Sequence, residues 1–222
     1  MEFHESTGCQ QNINNLSTHV RTAPYHKTYG IMDDSVDEIE EESELAGGGS
    51  AERIIRITGE ISEETAEKFA LNLHRVAETP GEIHVLIASD GGDIEYGLRI
   101  IDALNIAKAK GSAVHTIVVA KAYSMGAYIS LVGDRRTIYP HARLMFHSGR
   151  YEAMSEGEEM TVPVLQSMVD EMSMFNNTFR KLLAGVGLSS EMIEKIMTTD
   201  VYMNAEEAIS LGVMHSIETE LI

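Results

Sequence analysis

Two near-continuous apolar runs constrain the fold of this chain more than any other feature. Residues 83–88 and 113–120 are rich in β-branched side chains and nearly free of charge. Such runs are typical of strands that are covered on both faces, as in a parallel sheet. Between them, apolar residues recur at helical spacing, at Ile94, Leu98, Ile101 and Leu104. The sequence therefore predicts an α/β fold in which a crossover helix joins two parallel strands.

Further elements are predicted on both sides of this unit. A strand is expected at residues 53–58, followed by a helix from Glu63, which Ser62 can cap and whose first-turn carboxylates suit the helix dipole. Shorter strands are expected at residues 136–139 and 143–146. Near the end of the chain, residues 205–211 suggest a short helix stopped by Gly212, and residues 213–217 a last strand.

A long helix is predicted over residues 164–183. Its apolar residues step by three and four as in a coiled-coil seam: Leu165, Met168, Met172, Phe175, Phe179 and Leu182. Such a stripe packs either on the core of its own chain or on another subunit. A helix of this length extends about 30 Å, the width of a small domain, which favours a second subunit.

Residues 1–50 differ in composition from the rest. They are polar, then acidic from Asp33 to Glu44, and end in Gly47-Gly48-Gly49-Ser50. A segment with so little apolar surface cannot offset its ordering entropy. We therefore expect a disordered acidic leader with a glycine-rich linker at 1–50 and one folded domain at 51–222.

Net charge, apolar runs and cysteine content indicate which partners and which cell compartment are expected. The chain has 35 acidic and 17 basic residues, a net charge of −18, which disfavours nucleic acid and anionic membranes as partners. No apolar run reaches the roughly 18 residues of a membrane span, and no signal-peptide pattern is present. Cys9 stands alone and cannot form an internal disulfide. These features predict a cytoplasmic protein without membrane contact.

The strongest chemical signal is the segment Ala122-Tyr123-Ser124-Met125-Gly126, where a buried strand ends and small residues open a helix. A serine on such a strand-to-helix turn projects its hydroxyl out of the sheet. The next backbone N–H groups lie at a helix N-terminus, where they can stabilise an oxyanion. A serine before a helix is, however, more often a simple N-cap.

A second signal is Ser89-Asp90-Gly91-Gly92-Asp93, which follows the preceding apolar strand. Paired glycines let backbone N–H groups approach a ligand closely. Because open α/β sheets bind ligands at the carboxyl ends of their strands, this turn and Ser124 are expected at one sheet edge. The alternatives are a simple turn or a phosphate cradle.

His147, which ends the apolar strand at 143–146, is the leading candidate for the general base that a serine nucleophile requires. A lone histidine at a strand end is usually structural, and it gains weight only beside the other two signals. A carboxylate must then orient the imidazole. Chemistry alone leaves this choice open among Asp90, Asp93, Asp134, Asp170 and Asp200.

From about residue 54 to 217, the sequence resembles the proteolytic subunit of the ATP-dependent Clp protease. The resemblance is carried by motifs in a fixed order: Ile57-Thr58-Gly59-Glu60-Ile61, Ser89-Asp90-Gly91-Gly92, Ala122-Tyr123-Ser124-Met125-Gly126, Met145-Phe146-His147, and Asp200-Val201-Tyr202-Met203-Asn204-Ala205-Glu206-Glu207-Ala208 with Leu211-Gly212. Together these matches are specific, although most are weak singly. They cover about three quarters of the chain.

The resemblance implies a crotonase-like α/β fold and a serine endopeptidase. It assigns Ser124, His147 and Asp200 as the catalytic triad and the N–H groups of Gly92 and Met125 as the oxyanion hole. Substrate peptide would lie along Gly91, Ser148 and Gly149. No metal and no cofactor are implied.

The family also implies an assembly. It stacks two heptameric rings through a strand and a long helix that follow the catalytic histidine, which act as an oligomerisation handle. Polypeptide substrates would be degraded inside the chamber of this homo-oligomer. A separate AAA+ unfoldase would be the only component that uses ATP.

The chain departs from the family pattern at several positions. Asp90 replaces a proline, Tyr123 a small residue, and Ser148-Gly149 the usual Gln-Pro; no axial loop or first helix is recognisable in residues 1–50. Other interpretations are a dedicated processing protease, such as one for viral head maturation, and a catalytically silent ring or scaffold subunit. A crotonase-type acyl-CoA enzyme would not need the serine, and a signal-peptide peptidase would need a lysine base such as Lys121.

Overall fold

The computed structural model describes residues 53–151 and 161–220 of the 222-residue chain. Contacts divide the chain into two units, Met1–Gly48 and Gly49–Ile222, and the described residues all belong to the second. The predicted leader at 1–50 and Cys9 lie outside the described residues, so the expected disorder stays a prediction.

Strands and helices alternate through most of this unit. In chain order they are β1 (Ile54–Ile61), α1 (Glu63–Val76), β2 (Glu82–Gly92), α2 (Ile94–Ala109), β3 (Ala113–Tyr123), α3 (Met125–Ser130), β4 (Arg135–Ile138), β5 (Arg143–Phe146), α4 (Val162–Gly185), α5 (Ser190–Thr198), β6 (Val201–Met203), α6 (Ala205–Ser210) and β7 (Ser216–Ile217).

One sheet of seven strands carries the site. Its main path runs β1-β2-β3-β4-β7, with each strand parallel to its neighbours. The long strand β3 pairs with β4 near its amino end and with β5 near its carboxyl end. Strand β6 pairs antiparallel with β5. The carboxyl ends of β2, β3 and β5 therefore meet at one edge of the sheet.

Local signals explain the first helix. Ser62 caps α1 by accepting a hydrogen bond from the Thr65 N–H at 3.4 Å, as the sequence predicts. Its buried residues, Ala66, Phe69 and Leu73, form an apolar stripe along one helix face. Fully burying a side chain such as Phe69 stabilises the fold by about 1.5–3 kcal/mol.

The core lies around the two apolar runs that the sequence singles out. Ile83, Val85 and Ile87 of β2 are fully buried, as are Ile117 and Val118 of β3. Helix α2 covers them as the predicted crossover helix, with Ile100 and Leu104 also fully buried. Asp93 caps the start of this helix. Both strands extend further than predicted, to Gly92 and to Tyr123.

The prediction at the C-terminus is partly wrong. The strand expected at residues 213–217 is formed only over Ser216–Ile217. Gly212 ends α6 with φ 73°, and the Met214 N–H then donates to the Ala208 carbonyl, which keeps the chain in a turn. Val213 is buried there without strand pairing.

Helix α4 includes the predicted long helix and extends it by two residues at each end. Its C-terminal half packs on the core through the buried Phe179 and Leu183, whereas Val162, Leu165 and Val169 are exposed. The handle strand expected after His147 is not formed over residues 147–151, and residues 152–160 lie outside the described part. Within the described residues, none of the helices combines the length and apolar character needed to cross a bilayer.

Candidate active site

Ser124 stands on the turn between β3 and α3 with φ 51° and ψ −124°. Among the residues that the structure describes, it is the one non-glycine residue with a positive φ. Its N–H donates to the Met145 carbonyl of β5 at 2.8 Å, and its side chain does not cap α3. The simple N-cap interpretation is therefore wrong, and the backbone has the strained geometry that often marks functional positions.

The glycine turn at the end of β2 packs directly on this serine. A Cβ at Gly91 would lie 2.6 Å from the Ser124 Cβ and 2.8 Å from the Tyr123 carbonyl oxygen. The Ser89 hydroxyl holds the turn in place, since it accepts from the Gly91 N–H at 3.0 Å and donates to the Gly59 carbonyl at 2.6 Å. No side chain larger than hydrogen fits at position 91.

The two predicted oxyanion donors, Gly92 and Met125, lie at the end of β2 and at the start of α3. Met125 begins α3, and its buried side chain packs against Gly97 of α2, where a Cβ would lie 2.3 Å from the methionine methyl group. Gly92 has φ 146°, and a Cβ there would lie 2.3 Å from the Ile61 carbonyl oxygen. Gly92 and Met125 line the same cleft as Ser124.

His147 follows β5 and lines this cleft together with Ser124. Its Nδ1 lies 2.5 Å from the Ser148 carbonyl oxygen. Because a carbonyl only accepts, Nδ1 carries the proton in this hydrogen bond. The other ring nitrogen, Nε2, is then the basic one, which is the tautomer required for taking a proton from a serine.

Tyr128 anchors the backbone of this histidine. Its hydroxyl donates to the His147 carbonyl at 2.8 Å, and its ring stacks on Phe179 of α4 with centroids 4.1 Å apart. The edge of Phe146 lies against the same ring at 5.4 Å. Burial raises the pKa of Tyr128, so it stays a neutral donor. Sequence analysis missed this residue, because an aromatic side chain within an apolar helix gives no sign of a polar contact.

His147 directly follows β5, and Asp200 directly precedes β6. The two strands pair antiparallel, Leu144 with Met203 and Phe146 with Val201, and this pairing ends one residue short of both His147 and Asp200. The Asp200 carboxylate, however, forms a salt bridge with Arg150. No hydrogen bond joins Ser124 to His147, or His147 to Asp200, within residues 53–151 and 161–220.

The cleft itself has a volume of about 730 Å³. Ser148 and Gly149 line it, whereas Gly91 is buried beneath Ser124. The Gly149 N–H donates to Asn176 Oδ1 at 2.8 Å, which ties the loop after His147 to α4. The loop and the helix together form one wall of the cleft.

Charged groups around the cleft are mostly acidic. Among the described residues, its lining includes the guanidinium of Arg150 and five carboxylates, those of Glu60, Asp90, Asp93, Glu95 and Glu171. Tyr151 bonds to Glu171, and this hydrogen bond raises the pKa of the Tyr151 hydroxyl to about 12. Lys121, considered above as an alternative base, is bound to Asp90 at 2.5 Å.

A mostly parallel sheet with the serine turn and the glycine turn at one edge fits the crotonase-like α/β fold that the family resemblance implies. Residues 40–220 match the family model described as Clp protease. This match spans more than half of the chain, and the chain belongs to the Clp protease family. The family makes the protein a peptidase, a hydrolase of peptide bonds.

Proposed function

We propose that the chain is a serine endopeptidase that hydrolyses unfolded polypeptides, with Ser124 as nucleophile, His147 as general base and Asp200 as the carboxylate that orients the base. The observation that carries this proposal is the shared cleft. This cleft is lined by a serine on a strained turn, whose hydroxyl is not used as a cap, and by a histidine whose Nδ1 carries the proton.

The proposed reaction follows from these groups. The Ser124 Oγ attacks the peptide carbonyl carbon while His147 Nε2 accepts the hydroxyl proton. The N–H groups of Gly92 and Met125 stabilise the oxyanion. When the intermediate collapses, His147 returns the proton to the leaving amine, and water then hydrolyses the acyl-enzyme through the same base.

Asp200 completes the triad by a change of side-chain partner. The last pair of the β5–β6 register, Phe146 with Val201, supports this role, because His147 and Asp200 are the chain neighbours of these two residues. Its carboxylate leaves Arg150 and accepts from His147 Nδ1–H, which in turn leaves the Ser148 carbonyl. In this arrangement the carboxylate stabilises the imidazolium that forms during each proton transfer.

The active form in this proposal is a homo-oligomer. Clp protease family members generally form oligomeric rings with unfoldase partners. The exposed apolar residues Val162, Leu165 and Val169 of α4 support such contacts here. Two stacked heptameric rings in the cytoplasm, fed by an AAA+ unfoldase that alone consumes ATP, complete the proposal; the chain itself needs no cofactor.

Replacing the proposed nucleophile tests the mechanism. Ser124→Ala is expected to abolish hydrolysis of fluorogenic peptides and covalent labelling by a fluorophosphonate, and to leave the assembly size unchanged. Ser210→Ala is the matched control, because this exposed hydroxyl donates to the Glu207 carbonyl outside the cleft. Labelling that persists in Ser124→Ala would exclude Ser124, and a wild-type chain that assembles but never reacts would identify a silent ring subunit.

A further inference from the structure

A pair of histidines lies at the amino ends of β2 and β3, away from the catalytic cleft. His84 and His115 are partners in the parallel register, so their side chains share one face of the sheet, with ring centroids 5.2 Å apart. Glu82, two residues before His84, places its Oε2 3.3 Å from His84 Nε2. One ligand atom from each of these three residues lies within 4.8 Å of the other two.

Both imidazoles have an unused nitrogen. The Nδ1 atoms of His84 and His115 are buried and have no hydrogen-bond partner among the described residues. Buried polar atoms are almost always paired in folded proteins. Two such exceptions on adjacent side chains indicate that a further group binds here.

A hydrogen-bond chain fixes the form of His115. The Thr137 hydroxyl donates to the Glu218 carboxylate at 3.2 Å, because a carboxylate can only accept. Having used its proton, this hydroxyl accepts from His115 Nε2–H at 2.8 Å. Nδ1 of His115 therefore carries a lone pair, which is the state that a metal ligand requires.

His115 is buried, with a side chain that is only 1% exposed. The Glu218 carboxylate, which accepts from the Thr137 hydroxyl, also accepts from the Thr219 N–H at 3.1 Å and from the Glu220 N–H at 3.3 Å. A carboxylate acting through a hydroxyl on an imidazole is the kind of outer partner that metal-binding histidines have.

We propose that His84, His115 and Glu82 bind a divalent cation of the zinc type, with water as the remaining ligand. Imidazole nitrogen and carboxylate oxygen are ligands that Zn²⁺ accepts in tetrahedral sites. Ligand atoms of such a site lie about 3.3 Å apart when metal–ligand bonds are about 2.0–2.1 Å, so the cluster contracts slightly on binding. The side chain of Glu82 is 48% exposed and that of His84 27%, so the ion enters from their side.

The ion would join β2 to β3 independently of peptidase chemistry. His115 lies on β3, and Ser124 follows the end of this strand nine residues later, which separates the two sites by roughly 30 Å at about 3.3 Å per residue. Metal binding is therefore expected to stabilise the fold without taking part in the proposed peptidase reaction. It can be tested whether or not the catalytic proposal holds.

Calorimetric titration of the full chain with Zn²⁺, after dialysis against a chelator, tests the proposal. The wild type is expected to bind Zn²⁺ at a high-affinity site that His84→Ala loses, with affinity at that site falling at least about a hundredfold. His141→Ala is the matched control, because this exposed histidine lies outside the cluster. Equal titration curves for wild type and His84→Ala would overturn the proposal, as would the lack of any Zn²⁺ binding by the wild type.

A second variant tests the role of His115 as a metal ligand without removing any of the three ligand side chains. Thr137→Val keeps the shape of the residue and removes the hydroxyl that fixes the His115 tautomer. It is expected to weaken Zn²⁺ binding about 10–100-fold.

Two further measurements report on the ligands of the bound ion. In the wild type, Co²⁺ should give the visible ligand-field bands of a tetrahedral site, and Zn²⁺ should raise the unfolding midpoint; neither effect should appear in His84→Ala. If Thr137→Val binds as the wild type does, or if Co²⁺ bands persist in His84→Ala, these residues do not form the site.

Discussion

At the scale of single residues, the proposed catalysis depends on which partner the Asp200 carboxylate takes. Asp200 and His147 are the chain neighbours of the last β5–β6 pair, Val201 with Phe146, but the Asp200 carboxylate is paired with Arg150. The side chains of Arg150 and Asp200 are 56% and 37% exposed, so their attraction is screened by solvent. Such a pair contributes about 0.2–1 kcal/mol, which makes the exchange of partner inexpensive.

Arg150→Gln is expected to raise kcat/KM for short peptides by up to about fivefold. The reason is that the variant removes the competitor for the Asp200 carboxylate, and a free-energy gain of up to about 1 kcal/mol corresponds to that factor. Initial rates on a fluorogenic peptide measure the effect. Arg99→Gln, an exposed change on α2 outside the cleft, should leave the rate unchanged. A fall in kcat/KM in Arg150→Gln instead would mean that Arg150 supports the active form.

At the scale of elements, the sequence predicts what local chemistry determines. Ser62 marks the start of α1, and the apolar run at 83–88 marks β2, because capping and periodicity act within a few residues. Strand β6 was missed because its three residues are a strand only through pairing with β5. Helix α5, which packs against α4, was not predicted either.

In the candidate site, too, the sequence predicts the features that depend on neighbouring residues and not those that depend on strand pairing. Ser124 and the glycine turn were found from motifs that lie within a few residues. Asp200 was chosen among five aspartates only through the family resemblance, because the pairing of β5 with β6 joins residues more than fifty apart. The contact of His84 with His115 also depends on register across two strands, which periodicity does not give.

Helix α4 divides into two halves with different environments. The C-terminal half is fixed to the core by Phe179 and Leu183, which are 2% and 0% exposed. In the N-terminal half, Val162, Leu165 and Val169 form a stripe at helical spacing and are 79%, 44% and 58% exposed. Of the predicted seam, Phe179 packs within the chain and Leu165 is exposed, whereas Val162 and Val169 lie beside that seam. An exposed apolar stripe of this kind is typical of an interaction surface.

Val169→Glu is expected to dissociate the proposed oligomer, because it places a charge in the apolar stripe that the partner subunit would bury. Asn177→Glu is the matched control, since it adds the same charge at an exposed polar position of the same helix. Size-exclusion chromatography with light scattering measures both. An oligomer of unchanged mass in Val169→Glu would show that the stripe lies outside the subunit interface.

At the scale of the whole molecule, the cleft shares the acidic character of the chain. The net charge is −18, and the described residues that line the cleft include five carboxylates and one guanidinium. Of these five carboxylates, that of Asp90 forms a salt bridge with Lys121. A peptide that enters this cleft therefore meets a negative potential, which attracts cationic substrates and repels anionic ones.

The protein is expected to cleave lysine-flanked peptides at least about tenfold faster, in kcat/KM, than glutamate-flanked peptides of the same length, since a charged cleft changes association rates by about 10–1000-fold. Added salt should reduce this ratio of the two kcat/KM values, because salt screens exposed charges.

Two double variants test whether the cleft carboxylates cause the preference. Glu60→Gln/Glu95→Gln should lower the ratio, because both carboxylates line the cleft. Glu67→Gln/Glu78→Gln changes the net charge equally on α1 and the turn after it, and should leave the ratio unchanged. Equal ratios in the two double variants would show that total charge, rather than the cleft, sets the preference.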